Sequence, residues 1–387
     1  MSHNRRVTNN GMLALLTGCI VTALAPSSAV ADDSRLVPKV IATVQIATGG
    51  FGNGGSGTFW PTVNTKTNRV YVANLANSTV SVIDGWTDKL IDTIAINHNL
   101  PGSFPAGFLS GPVQVAIDED TNTIYVLTNN GTISVVDGRT DKVKSSFVVD
   151  TNTTSPEGFS TGSIVFSKRT GKLYVSNSDI QIDVIDPKKQ KVITRIADDS
   201  AYALAIDQST NIIYNVQHWD GSVFVINGYT DQVTDTITGV GRPSVPNDCY
   251  KTATCTDEGS QPDWAGVDES LHRLYVGLDG DQTTVTIDTR SNTVLKTNPI
   301  GSYSVAVDPI NHAAYTINAI SAVLGVINGF TDTIVANNIP AGIQYQTIPE
   351  GIAVNPVTGK IYVADFGFTA PDQVIVLKIP DDKLSER

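Results

Sequence analysis

The chain has 387 residues, 41% of them apolar and only 17% charged, with 26 Lys and Arg against 38 Asp and Glu for a net charge of −12. So much apolar content is enough for a sizeable core and excludes a disordered or fibrous chain. Phosphate backbones are bound by clustered Lys and Arg, so a surface this acidic argues against nucleic acid as a partner.

From the N-terminus, the first element is a leader. Arg5 and Arg6 precede the apolar run 11–25, and Ala29-Val30-Ala31 has the small-x-small pattern of signal peptidase cleavage, so 1–31 reads as a secretory signal peptide. A competing reading takes Leu16-Thr17-Gly18-Cys19 as a lipobox that would leave Cys19 lipidated, although the apolar run continues to Ala25, where a lipoprotein turns polar. Either way the expected location is extracytoplasmic, secreted or on the cell envelope, and no later stretch reaches the roughly 18 apolar residues of a transmembrane helix. In such a compartment Cys249 and Cys255, which bracket a Pro/Asp/Thr-rich loop, are expected to form a disulfide.

The remainder is a repeat. A tyrosine followed by a short alternating run recurs at Tyr71, Tyr125, Tyr174, Tyr214, Tyr275, Tyr315 and Tyr362, at intervals of 40 to 61 residues. Each tyrosine is preceded by an apolar run ending in a polar turn (Val115-Ala116-Ile117-Asp118). A third run (Val80-Ser81-Val82-Ile83), a turn such as 84–88 (DGWTD) and a fourth run then follow it. Four short strands per unit, with Asn/Asp/Gly/Thr turns and no 3.6-residue periodicity, predict an all-β, seven-bladed β-propeller. The expected blades are about 58–97, 111–150, 161–198, 201–240, 262–300, 302–340 and 349–380, within a single domain 32–387. Blade seven lacks a fourth strand. The run Lys39-Val40-Ile41-Ala42-Thr43-Val44-Gln45-Ile46 matches the fourth strand Lys89–Ile96 position for position, so 39–47 is expected to close the ring and to bury about four apolar side chains.

The tyrosine runs, the turns at 84–88 and 137–141, and Pro349-Glu350-Gly351-Ile352-Ala353-Val354-Asn355-Pro356 resemble the YVTN-type seven-bladed propellers, often secreted or cell-surface proteins of bacteria. The resemblance spans nearly the whole chain after the leader and implies a fold. Propellers of this type include binding proteins, lyases, lactonases and electron-transfer domains, so it does not imply one function.

The loops joining strands two and three, and those joining one blade to the next, emerge on one face. They are long at 97–111, 150–162, 239–262, 336–349 and 365–372, whereas the turns on the other face are short. Elaboration of one face predicts that any ligand binds there. The corresponding position in each first strand gives a ring at the channel mouth: Phe59, Val113, Gly162, Tyr202, Asp263, Tyr303 and Glu350, with Trp60 and Trp264 adjoining. The ends of the second strands add Asn74, Asn177, Gln217, His218, Asn318 and Asp365, with Trp219 and Asp220 next to His218. Trp60, Tyr202, Trp219, Asp263, Trp264, Tyr303, Glu350 and Asp365 are the candidate ligand-binding residues, and His218 is the candidate general base.

Plainer readings stand beside these. Tyr202 and Tyr303 can plug the channel, and Pro349-Glu350-Gly351 can be repeat punctuation, since Pro112 and Pro262 also precede strands. Asp84, Asp137 and Asp186 suit turn caps better than metal ligation, and 118–122 lacks the Gly and terminal Glu of a calcium loop. With no HExxH, Walker loop or GxSxG, the leading expectation is a secreted, monomeric, non-catalytic propeller that binds a small molecule, glycan or protein on its long-loop face. The alternatives are a lactonase-like hydrolase or a lyase with a divalent cation, Ca or Mg, held by Asp263, Glu350 and Asp365, and a structural cell-envelope protein.

Overall fold

A computed structural model of the chain describes residues 33–48, 56–97, 100, 110–149, 162–177, 181–198, 200–246, 255–343, 347–367 and 370–379. The leader, Cys19, Cys249 and His98 lie outside the described residues, as do most of the loops 97–111 and 150–162 and parts of the other long loops. No helix among the described residues is long and apolar enough to cross a membrane.

The strands assemble into seven four-stranded antiparallel sheets. Blade one contains Thr58–Asn64, Arg69–Asn74, Thr79–Asp84 and Lys89–Ala95, and blades two to six repeat this order over 112–148, 164–197, 201–237, 262–298 and 304–340. Blade seven is built from Thr347–Asn355, Lys360–Gly367 and Gln373–Lys378, with Lys39–Gln45 paired antiparallel to the last of these, Val44 facing Val374 and Lys39 facing Lys378. The predicted closure is therefore present, but its apolar content is smaller than expected. Only Val44 is buried, whereas Val40 and Ile41 are 41% and 49% exposed, because the fourth strand of a blade faces solvent along its outer side.

The repeated motifs are explained by what they hold together. All seven repeat tyrosines are buried. The first acid of each DGxTD-like turn caps its own turn: Asp84 accepts from the amides of Trp86 and Thr87, and Asp186 from those of Lys188 and Lys189. The last Asp takes a left-handed backbone (φ +54° at Asp88, +58° at Asp231) and faces the preceding blade. There, Tyr174 and Lys172 donate to the carbonyl of Gly228 and to Asp231, and Lys360 and Tyr362 donate in the same way to Gly85 and Asp88. Arg69 reaches Gly138 and Asp141 by the same route. The tyrosine, the base two residues before it and the turn of the next blade thus form an inter-blade latch. The run 118–122 is a capped turn, with Asp120 paired to the exposed Lys66.

Blade seven has no turn between its third and fourth strands, because the fourth comes from the other end of the chain. The short 3-10 helix Asp33–Leu36 takes that place: the Tyr315 hydroxyl donates to the Leu36 carbonyl, Asn328 donates to Asp33, and Leu36 is buried among the residues of blades six and seven.

Candidate functional site

The first strands open at the long-loop face, and in five blades their pairing with the second strand slips at that end. The register shifts fall between Thr58 and Pro61, Pro112 and Gln114, Ala201 and Leu204, Pro262 and Ala265, and Pro349 and Gly351. The residues freed from the ladder are the predicted mouth residues Phe59, Val113, Tyr202, Asp263 and Glu350, together with Trp60 and Trp264. A bulge bends the strand and redirects side chains away from the regular pleat, and here that places them over the channel.

The centre of the mouth is aromatic. The rings of Trp60 and Trp264, from blades one and five, stack with centroids 3.7 Å apart and planes at 28°, and both are buried. Phe59 and Tyr303 lie 6.1 and 6.4 Å from Trp60, and Tyr202 lies 6.4 Å from Trp264. The buried tryptophans form the floor of the mouth: the plug that the sequence offered to Tyr202 and Tyr303 is made by Trp60 and Trp264, while Tyr202, Tyr303 and Phe59 stay partly accessible around it. Gly351 makes the stack possible, since a Cβ there would come within 2.8 Å of the Trp60 ring. The Pro349-Glu350-Gly351 segment therefore has a local task beyond punctuation.

Two polar pairs border this floor. His218 Nδ1 lies 2.8 Å from Asp263 Oδ1, with the imidazole 4.7 Å from the Tyr202 ring and edge-on to Trp219. The His218-Trp219 segment is held in place by Ser200, whose carbonyl accepts from the His218 amide and whose hydroxyl accepts from the Trp219 amide. In the second pair the Tyr303 phenol and the Glu350 carboxyl act on each other electrostatically. Burial raises the Asp263 carboxyl above its usual range despite the histidine. Burial, reinforced by the charge of Asp263, pushes Glu350 from 4.5 up to about 7 against the opposing influence of Tyr303. The Tyr303 phenol is held well above its ordinary value by burial and by its neighbours Glu350, Tyr202, Asp263 and Asp279.

The remaining predicted residues have other roles. Asp365 is fully buried inside blade seven, where its carboxylate accepts from Gln373 at 2.7 Å and its carbonyl from Thr58. Asn74 bonds Thr79 and Ser81, and Asn318 caps the turn at Ile320. The proposed cation ligands do not converge: among the described residues no three His, Cys, Asp or Glu side chains form a metal-holding group. Gly162 brings no side chain to the mouth, and Val113 is buried. His312 pairs at 2.7 Å with the fully buried Asp268.

Beneath the tryptophans the channel continues as a cavity of about 480 Å³ towards the short-turn face, lined by Trp60, Gln114, Val115, Phe166, Ile206 and Val354 among others. The emphasis on long loops missed it. Its wall mixes apolar side chains with polar and charged ones, of which Glu119 accepts from Thr65 and Gln208 donates to the Phe166 carbonyl. Its titratable side chains, Lys66, Asp118, Glu119, Asp120 and Lys168, belong to the turns of the short-turn face.

The Glu350 shift sets a pH dependence. Between its unfolded value of 4.5 and its folded value of about 7, the native protein holds a proton that the unfolded chain releases, so the stabilisation is complete below 4.5 and is lost as pH rises through 7. Urea unfolding at pH 5 and pH 8 is expected to show Glu350→Gln removing on the order of 2 kcal/mol of that decline. An unchanged slope would place the carboxyl in ordinary solvent.

No family model matches the chain. It is 28% identical over 139 residues to "Uncharacterized protein YncE" of Escherichia coli O157:H7, and 30% identical over the same length to the proteins of that name from Salmonella typhi and Salmonella typhimurium. Each match takes in 35% of this chain and 37% of the relative, so the likeness spans little more than a third of the proteins it matches.

Proposed function

We propose that the protein is an extracytoplasmic, monomeric, non-catalytic binding propeller whose ligand sits on the long-loop face over the Trp60–Trp264 floor. The observation that carries this reading is the meeting of two polar pairs, His218 with Asp263 and Tyr303 with Glu350, around partly accessible rings at a closed channel mouth. Aromatic surface with a few convergent polar groups is the ordinary chemistry of a small-ligand site. Three of the four tryptophans, Trp60, Trp219 and Trp264, are at this mouth and report occupancy by fluorescence. A ligand found in a thermal-shift screen of sugars, amines and aromatic metabolites should quench tryptophan emission and raise the melting point, at 100 times Kd by the equivalent of about 2.7 kcal/mol. Tyr202→Ala and Asp263→Asn should abolish both responses; if these variants respond as the wild type does, the site is elsewhere. In material exported by the source cells, the same reading expects cleavage after Ala31 and a Cys249–Cys255 disulfide, both visible as mass differences.

One observation favours a second reading. A histidine oriented by a buried carboxylate, beside a carboxyl titrating near neutrality, is the arrangement of a general base and general acid. In a lyase or hydrolase His218 would take a proton with Asp263 holding its ring, and Glu350 would give one up. Turnover of a screened ligand that His218→Asn abolishes while leaving binding intact would select this reading.

A further inference from the structure

We propose that the mouth selects an organic cation, a protonated or quaternary amine, held against Tyr202, Tyr303 and the Trp264 edge by the carboxyl groups of Glu350 and Asp263. The inference rests on the binding reading above and names its ligand class.

The sign of the site is the first argument. The charges acting most strongly on Tyr303 and Glu350 come from Asp263, Asp279 and from each other, and no Lys or Arg is among them. Asp263 has the imidazole of His218 as partner, while the side chain that acts on Glu350 against its burial is a phenol, which carries no positive charge. An anionic ligand would face three carboxyl groups over a low-dielectric floor. A neutral ligand would leave the buried carboxyls as costly as before, whereas a cation offsets that cost on arrival.

The second argument separates an organic cation from a metal ion. Calcium and magnesium require several oxygens arranged around a point, and the described residues make no such group. What surrounds the carboxyls is aromatic: Phe59, Trp60, Tyr202, Trp264 and Tyr303 follow one another at centroid separations of 3.7 to 6.4 Å. Ring faces attract a diffuse alkylammonium charge through their quadrupole and at the same time bury its methyl or methylene groups, which a hydrated metal ion does not offer. The buried indole Nε1 of Trp264 has no hydrogen-bond partner, leaving a donor for an oxygen on the same ligand, as in an amino alcohol or an amino sugar. A net charge of −12 draws cations toward the protein as a whole.

The test compares choline with 3,3-dimethylbutan-1-ol, its uncharged isostere, by calorimetry and tryptophan fluorescence on the folded chain, with glucose and phenol as neutral probes. Choline is expected to bind at least tenfold more tightly than the alcohol. Glu350→Gln, which keeps the shape of the side chain, should reduce that preference to within about threefold. Tyr303→Leu should weaken choline binding about tenfold, and thermal unfolding of each variant confirms that it is folded. Equal affinity for choline and the alcohol, or choline binding that ignores both substitutions, overturns the proposal. Glucose or phenol binding that is lost in Tyr202→Ala, with choline inert, overturns the cation while leaving the mouth as a binding site. Silence from every probe overturns both.

Discussion

Replacing Asp88 by alanine is expected to lower the stability of the protein by about 3 to 5 kcal/mol, because it leaves a buried ammonium group without its counter-charge. The Lys360 side chain is only 8% exposed, and its Nζ lies 2.7 and 2.9 Å from the two Asp88 oxygens and 2.9 Å from the Gly85 carbonyl. This latch joins blade seven to blade one, the junction that strand insertion alone would leave weakest. The double substitution Asp88→Ala with Lys360→Met should recover most of the loss, since an apolar chain of similar length fills the space without a charge to desolvate. Denaturant unfolding of the four proteins in the cycle measures the coupling. A loss below about 1 kcal/mol for the single change would mean that water reaches the lysine. By contrast, removing the exposed Lys66, paired with Asp120, should change stability by less than about 1 kcal/mol.

Asp372→Ala is expected to be comparably damaging at the other side of the closure. Its fully buried carboxylate accepts from the amides of Ser56, Gly57 and Gly367 at 2.5, 3.0 and 2.9 Å, and its carbonyl accepts from Ile46 and Ala47. One residue thus ties the closing strand, the start of blade one and the end of blade seven together. Removing the side chain leaves three amides without an acceptor, each at about 1 to 3 kcal/mol, so a total of about 3 to 9 kcal/mol follows. Asp372→Asn retains one oxygen and should lose about half as much. If alanine were tolerated at under about 1 kcal/mol, the closure would depend on strand pairing alone. The outer strand Lys39–Gln45 buries little besides Val44, so hydrogen bonding and the anchor at Leu36 carry more of the closure than its apolar residues do.

The two latches differ in how far the sequence announces them. The Lys360–Asp88 contact is one copy of a repeat, visible as a base two residues before a tyrosine and an acid at the end of a turn, and its recurrence in other blades is what makes it readable. Asp372 and the 3-10 helix at Asp33–Leu36 occur once, at the place where the repeat is broken, and nothing periodic points to them. Asp365 illustrates the converse. It occupies a repeat position shared with residues near the mouth, yet Gln373 on the next strand holds its carboxylate inside the blade, a neighbour that only the sheet register supplies.

By itself the amino-acid sequence determined the number of blades, their four-stranded make-up and the borrowed strand. All of these follow from patterns repeated within a few dozen residues: alternation with period two, Asx-capped turns and buried tyrosines. Only the tertiary structure decided which mouth residues meet. The stacking of Trp60 on Trp264 and the pairing of His218 with Asp263 depend on the bulges that release those side chains, and on ring closure, which brings blades one and five face to face. Contacts between blades are long-range, and no local propensity encodes them.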